Sequence, residues 1–340
     1  MPKTMDLSFC AFGVKTLLKH LSRMTRQAEN VRDRASEDPE YVHQMRIASR
    51  RLRSALPVFE TCFAPSDYQS WGREIKKITR ALGEARDTDV QLLFLEDRIK
   101  SMPEDPCLPG IQRLHLRLYQ KRKSLQEKVA RGVDRFEKSG VAPSMIDHFR
   151  SILGKASLEK APERSSSLFS VAAEMGRTCM ADVISYDALI REPHNIRELH
   201  ELRKSNKRLR YTLEFFSDLY EGKLDPFISQ VREIHTLLGN IHDCDVWKEF
   251  LPLFLEEETR RTLEYYGHTR PMTRIRRGIR SLVEERTKTR DSLYAEFLCK
   301  WENMAERTFW NDLDRILEEG KDTEGTEISG KNIDTEKEKQ

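Results

Sequence analysis

Two short runs of the chain repeat histidine and arginine at one-turn spacing. The first is His43, Arg46, Arg50 and Arg53, flanked by Arg51; the second is His200, Arg203, Lys207 and Arg210, flanked by Arg208. A helix advances about 100° per residue, so the first quartet falls within an arc of roughly 80°. The second repeats it, and no acid lies within the four positions of each stripe. A solvated helix face usually mixes signs, with Glu one turn before Lys. Guanidinium groups stacked without such partners repel each other, and a bound anion relieves that repulsion. Arginine suits phosphate because its planar fork donates two hydrogen bonds at once. The chemistry these residues point to is therefore the binding of a phosphate polyanion. A neutral histidine donates one hydrogen bond there, and a bound polyanion favours its charged form. Lys76, Lys77 and Arg80, with Arg232 at the position matching Lys76, add cations on the next element of each run.

The two runs belong to a tandem repeat. His43 and His200 are separated by 200 − 43 = 157 positions, and Phe59 matches Phe216 at the same offset, as Phe12 and Val14 match Phe169 and Val171. A second block, Leu82-Gly83 with Arg86-Asp87 and Asp89-Val90, recurs as Leu238-Gly239 with His242-Asp243 and Asp245-Val246, at 238 − 82 = 156. Ordered blocks at nearly equal offsets mark a duplication. Arg122-Lys123-Ser124-Leu125 also resembles Arg290-Asp291-Ser292-Leu293.

The elements that must carry these residues read as helices. The high Lys, Arg and Glu content, with 15 Gly and 13 Pro in 340 residues, favours long helices over sheets. Met45, Ala48, Leu52, Ala55, Leu56 and Phe59 gather on an arc away from the first stripe, so that helix has one buried and one cationic face; Leu202, Leu209, Leu213 and Phe216 repeat the pattern. Helices are expected near 8–34, 39–62, 67–83, 88–102 and 109–138, then near 166–190, 194–220, 224–240, 244–265 and 273–318. Asp38-Pro39 reads as an N-cap followed by proline in the first turn, and Pro57 should end its helix early. Gly83 and Gly239 read as helix C-termini, with Asp87 and Asp243 capping the next helices. This gives a first repeat over 8–138, a linker over 139–165 with at most one short helix, a second repeat over 166–318, and a disordered tail over 320–340 rich in Gly, Thr, Glu and Lys.

The bulk numbers set limits. The net charge is only +3, so what matters is where the charges lie. No stretch reaches the roughly 18 apolar residues of a membrane span, and Leu7–Leu21, broken by Lys15 and Lys19, reads as an amphipathic helix. Cys10, Cys62, Cys107, Cys179, Cys244 and Cys299 form no CxxC pair, which points to a reducing, cytoplasmic setting without a disulfide or zinc framework.

Both blocks resemble the CHAD family, the conserved histidine α-helical domain. The matching residues are His43-x-x-Arg46 with Arg50-Arg51-Leu52-Arg53 and the Leu82–Val90 block, then His200-x-x-Arg203 with Lys207-Arg208-Leu209-Arg210 and the Leu238–Val246 block. The resemblance spans about 8–318. It implies an all-α fold of two four-helix-bundle-like repeats related by a pseudo-twofold axis, forming one domain around a central basic cavity. It also implies binding of inorganic polyphosphate and association with polyphosphate granules and their proteins. Family members are often fused to a triphosphate-tunnel (CYTH) domain that supplies catalysis, and no room is seen for one in this sequence. Two departures stand out: His242 replaces Arg86 in the second copy, and its last helical region carries an insertion near 259–275.

Three rival readings remain. A metal-dependent phosphoryl enzyme would need carboxylates to hold Mg²⁺ beside the phosphate. Asp87-x-Asp89 and Asp243-x-Asp245 are the paired acids in the repeated motifs, and they read more simply as caps and arginine partners. Neither a GxxxxGK[ST] phosphate loop nor HExxH is present, so no catalytic metal or cofactor is expected. A nucleic-acid binder would share the salt dependence but would place aromatics beside the cations; Tyr211 adjoins the second stripe, whereas Ser54 stands at that place in the first. A helical scaffold for another protein would leave the repeated stripe without a purpose.

Overall fold

Apolar residues at three- and four-residue spacing produce helices almost throughout the described residues, which are 6–35, 37–101, 104–306 and 308–319 of the computed structural model. The expected tail at 320–340 lies outside them. In chain order the helices are α1 (Leu7–Arg26), α2 (Ala28–Asp33), α3 (Glu40–Ala55), α4 (Pro65–Ser101), α5 (Leu108–Lys138), α6 (Val141–Leu158), α7 (Ser166–Ile184), α8 (Ile196–Phe216), α9 (Asp225–Tyr266), α10 (Met272–Glu306) and α11 (Phe309–Glu319). No strand occurs among the described residues.

The start and end of α3 follow their sequence signals. The Asp38 carboxylate accepts the Glu40 backbone N–H at 2.8 Å, satisfying an orphan donor of the first turn. The α-helix ends at Ala55 and tightens into a 3-10 segment, Leu56–Cys62, with Pro57 in its first turn, as a proline that removes an N–H requires. The apolar faces expected on α3 and α8 are buried.

Three expectations are corrected. Gly83 and Gly239 do not end helices; α4 and α9 run straight through them. The glycines with positive φ are Gly140, Gly222 and Gly267, so neither motif glycine takes the left-handed conformation of a C-cap. Asp87 and Asp243 accordingly lie inside helices and are not N-caps. The expected linker contains the 18-residue helix α6, whose Met145 and Phe149 are buried. Phe149 meets the Trp71 ring edge-on at 5.9 Å, and Ser144 accepts the Trp71 indole N–H at 3.3 Å. Glycine and proline in that stretch masked an amphipathic helix. Finally, Cys10 and Cys62 are each disulfide-bonded while Cys107, Cys179, Cys244 and Cys299 are free thiols, against the expectation of no disulfide; sequence spacing alone carries no signal for it.

Packing divides the chain differently from the repeat. Among the described residues, one compact unit comprises residues 13–152 with His242–Asp291; the other comprises Leu153–Ile241 with residues 292–319 and 6–12. In the first, Leu92, Leu95, Leu114 and Leu118 form one core with Trp247 and Leu251 from the later half of α9 and Ile279 from the early part of α10. Each such side chain contributes about 1.5–3 kcal/mol by leaving water. In the second, Phe169 stacks edge-on against Tyr220 at 5.4 Å, the Tyr220 hydroxyl donates to the Leu317 carbonyl at 3.1 Å, and the Asn206 amide donates to the Val231 carbonyl at 2.9 Å.

Within the first unit α5 and α10 cross at backbone contact. A Cβ on Gly278 would stand 2.1 Å from the Cys107 carbonyl oxygen, and one on Gly110 would stand 2.9 Å from the Gly278 Cα. Backbone cannot yield as a flexible side chain does. Gly278→Ala is expected to destabilise the protein by about 1–3 kcal/mol, read as a lower denaturant midpoint. Gly154→Ala, where nothing lies within 4 Å of the added carbon, is expected to leave that midpoint unchanged or raise it slightly.

Candidate functional site

The first stripe is assembled on α3 and completed by α4. His43, Arg46 and Arg50 are half-buried and Arg53 is exposed. Arg86, from the second motif block, joins them, and its charge acts on both His43 and Arg46. Burial, then Arg86 and Arg46, push the His43 imidazole below its ordinary value, so at neutral pH it is an uncharged donor. Burial also lowers Arg46, helped by Arg50, Arg53 and Arg86 and opposed by Asp87. A guanidinium whose charged form is disfavoured by its neighbours is the electrostatic mark of crowded cations.

Gly83 makes room for this crowding. A Cβ there would stand 2.9 Å from the Arg46 Nη1, so the motif glycine is a seat for an arginine. Asp87 accepts from Arg46 Nη2 at 3.1 Å, with the Arg46 side chain 20% and the Asp87 side chain 70% exposed. An exposed partner screened by water neutralises weakly. Among the described residues no carboxylate lies within ion-pair reach of Arg50 or Arg86.

The structure separates other predicted residues from this cluster. Arg51 turns away from the stripe into a pocket with His20, Arg23 and Arg26 of α1. Lys77 and Arg80 face α5, where with Lys128, Arg131 and Arg135 they line a groove of about 580 Å³; Lys77 also pairs with Glu74 at 2.6 Å. Lys76 is exposed. Sequence reasoning missed Arg86 as a site residue, although its place in the second block was a signal for it. The α5 cations lay outside the repeated motifs.

In the other unit, His200, Arg203, Lys207 and Arg210 lie half-buried along α8. Here the protein supplies more of its own carboxylates. Glu214 lies 3.6 Å from Arg210 and 3.4 Å from Arg232, and Arg208 is ion-paired to Asp182 of α7. The Arg210 guanidinium also lies over the Tyr211 ring, 4.9 Å from its centroid, a cation–π contact. Gly239 repeats the seat more loosely, with its virtual Cβ 3.8 Å from the Arg203 Nε.

The inner aspartates of the second block are occupied. Asp89, 4% exposed, accepts from Arg122 Nε at 2.5 Å; Asp245, 6% exposed, accepts from Arg290 Nε at 2.6 Å. The same aspartate–arginine pair thus recurs at corresponding positions of the two copies. Burial pushes the Asp89 carboxyl above the usual range, against the pull of Arg122 and Arg86. These acids serve arginines, as the simpler sequence reading expected, although without capping helices.

Helices bearing stacked, half-buried cations over apolar cores define an all-α protein with two basic helix faces. The chain belongs to the CHAD family: it matches the CHAD domain over residues 15–252. It is similar to the CHAD domain crystallised from the plant Ricinus communis, with 22% identity, 91% of each chain covered and a TM-score of 0.57, and it shares that fold. Two uncharacterized proteins of Mycobacterium tuberculosis, from strains CDC 1551 and H37Rv, are each 26% identical over 234 residues, which is 64% of this chain and 42% of theirs. The matched region thus spans less than half the length of those relatives. CHAD domains are associated in general with polyphosphate binding. No helix among the described residues is long and apolar enough to cross a membrane.

Two outcomes are expected. Asp89→Ala leaves Arg122 buried and unpaired, and should destabilise by about 3–5 kcal/mol; Asp87→Ala, at an exposed pair, should cost no more than about 1 kcal/mol. Denaturant titration of the two variants checks this. His20, 4% exposed, is held at a pKa of about 4 by burial and by Arg51, Arg23 and Lys19. Its folded value lies below its unfolded one, so its contribution is whole above pH 6.5 and is lost as pH falls from about 6.5 towards 4. That loss is on the order of 3 kcal/mol. His20→Gln should flatten this part of the stability curve relative to wild type.

Proposed function

We propose that this protein binds inorganic polyphosphate without catalysing its turnover. The observation that carries the reading is the α3 cluster, where burial and mutual repulsion weigh on His43 and Arg46 while Asp87 is the single acid acting against them on Arg46. A chain of phosphates offers each guanidinium a two-point partner and relieves the repulsion at every step. His43, Arg46, Arg50, Arg53 and Arg86 would take the phosphates on α3, and His200, Arg203, Lys207 and Arg210 on α8. Lys76 and Arg232 would extend the path, and Lys77 and Arg80, which face α5, are left out of it. Arg51, turned to another face, is left out of it. That both stripes act on one polymer, in the pseudo-twofold central cavity the family resemblance implies, is part of the proposal, as is recruitment to polyphosphate granules.

The non-catalytic reading is supported by the fate of the motif acids. Asp89 and Asp245 are each engaged by an arginine, which leaves them poorly placed to hold a metal beside phosphate. Release of orthophosphate from a purified polymer with added Mg²⁺ would replace this reading with an enzymatic one. Nucleic acid is less favoured because the aromatic beside the α8 stripe, Tyr211, is buried against Arg210 and not offered for base stacking.

The test is a binding titration with polyphosphate of defined lengths, against RNA, at two salt concentrations. Wild type should prefer polyphosphate at fixed ionic strength and weaken as salt rises, since cations on a polyanion displace its counterions. The double change Arg50→Glu and Lys207→Glu removes two charged contacts and should lower affinity about 100-fold or more, with helical circular dichroism retained. Undiminished affinity in that folded variant refutes the site.

A further inference from the structure

Arg51 leads to a second feature. The face of α3 that carries Gln44, Ile47, Ala48 and Arg51 meets the side of α1 that carries His20, Arg23 and Arg26, with Gln27 just beyond it, and between them is a pocket of about 220 Å³. That is room for one or two phosphate groups, and the recess opens to solvent on one side. Its lining holds three guanidinium groups, one imidazole and two carboxamides, and no carboxylate. Among the described residues no acid lies within ion-pair reach of Arg23 or Arg26. The Gln27 side-chain carbonyl is buried without a hydrogen-bond donor; because an amide's two ends are interchangeable in assignment, the group offers a ligand an acceptor or a donor. His20 forms the floor at 4% exposure.

Cations drawn together in a concave, carboxylate-free recess are suited to a small anion of high charge density. Arginine forks match tetrahedral phosphate oxygens, and glutamine amides can supply neutral hydrogen bonds beside them. The recess lies on a face of α3 different from the His43–Arg53 stripe, so occupancy of one need not exclude the other.

We infer that the α1–α3 pocket is a separate site for a compact phosphate anion of about pyrophosphate size, either free or as the end of a chain. Arg23, Arg26 and Arg51 hold its charge, and the Gln27 amide hydrogen-bonds it. The groups facing His20 are Lys19 and Arg23 on its own helix and Arg51 on α3. A bound anion offsets all three, so it allows the imidazole to take a proton that the empty pocket refuses.

The experiment is calorimetric titration with sodium pyrophosphate, with imidazole NMR of His20 followed through a pH series. Three proteins are compared: wild type, Arg50→Glu, and Arg23→Gln with Arg26→Gln. The last two substitutions are at exposed positions, so the fold should survive, and thermal unfolding confirms it. Pyrophosphate binding that His20 reports is expected to be alike in wild type and Arg50→Glu and at least tenfold weaker in the double variant, and saturation is expected to raise the His20 titration midpoint from about 4. In the Arg50→Glu protein, displacement of pyrophosphate by long-chain polyphosphate assigns the pocket to chain ends, and absence of displacement assigns it to the free anion. Equal affinity in the double variant, loss of affinity in Arg50→Glu instead, or no pyrophosphate binding by wild type overturns the inference. Because the polyphosphate site is tested through Arg50 and this one through Arg23 and Arg26, each can fail alone.

Discussion

Like charges held half out of water are the constraint around which this protein is arranged. Arg46 on α3 stands among Arg50, Arg53 and Arg86, close enough that they add to burial in disfavouring its charged state. Water screens such repulsion at a surface, but partial burial removes some of that screening. The protein accommodates the arrangement locally. Gly83 withholds a side chain so that the Arg46 guanidinium has a place to lie. Asp87, largely in solvent, offsets part of the charge without neutralising the cluster. His43 stays uncharged, so it adds a donor without adding to the repulsion.

A second set of interactions fixes the helices that carry the cations. Asp89 with Arg122, and Asp245 with Arg290, are nearly inaccessible to water. Buried ion pairs are weak sources of stability, because desolvation offsets most of the Coulomb gain. What they supply is selectivity for one arrangement, since any packing that parts the two charges leaves one stranded. The Asp89 pair ties α4 to α5 beside the very segment of α4 that bears Arg86 and Asp87. One face of α4 thereby meets the arginines of α3 while an adjoining side is tied to α5.

Much of this was legible in the sequence. The 3.6-residue period of α3 and α8 separated apolar from basic faces, and the buried leucines lie where that period puts them. Pro57 ended its helix. The doubled Leu-Gly…Asp-x-Asp block flagged the positions now seen as an arginine seat and a buried ion pair. What failed did so for one reason: a glycine in a helix-rich sequence has two meanings, chain termination or close approach, and only the neighbour decides. At Gly83 the neighbour is Arg46, 37 positions earlier; at Gly278 it is the backbone of Cys107. Long-range carboxylates were equally hidden. Asp182 beside Arg208, and Glu214 between Arg210 and Arg232, lie outside the four-residue stripes from which the absence of acids was read.

Those carboxylates make the two copies unequal. On α8, Glu214 neutralises within one turn of Arg210 and also reaches Arg232, and the place of Arg50 is taken by Lys207, a point charge without the guanidinium fork. The place of Arg86 is taken by His242. On α3 the fork is kept at Arg50, Arg86 is present, and the opposing acid at Arg46 is exposed. The acids that the ion pairs place beside these arginines are therefore more shielded from water on α8 than on α3. A polyanion gains most where cations are least served by the protein itself, because there it replaces repulsion and not an existing ion pair. The two basic helices thus differ in what faces their arginines: an acid largely in solvent at Arg46 on α3, and a half-buried Glu214 with the Tyr211 ring at Arg210 on α8.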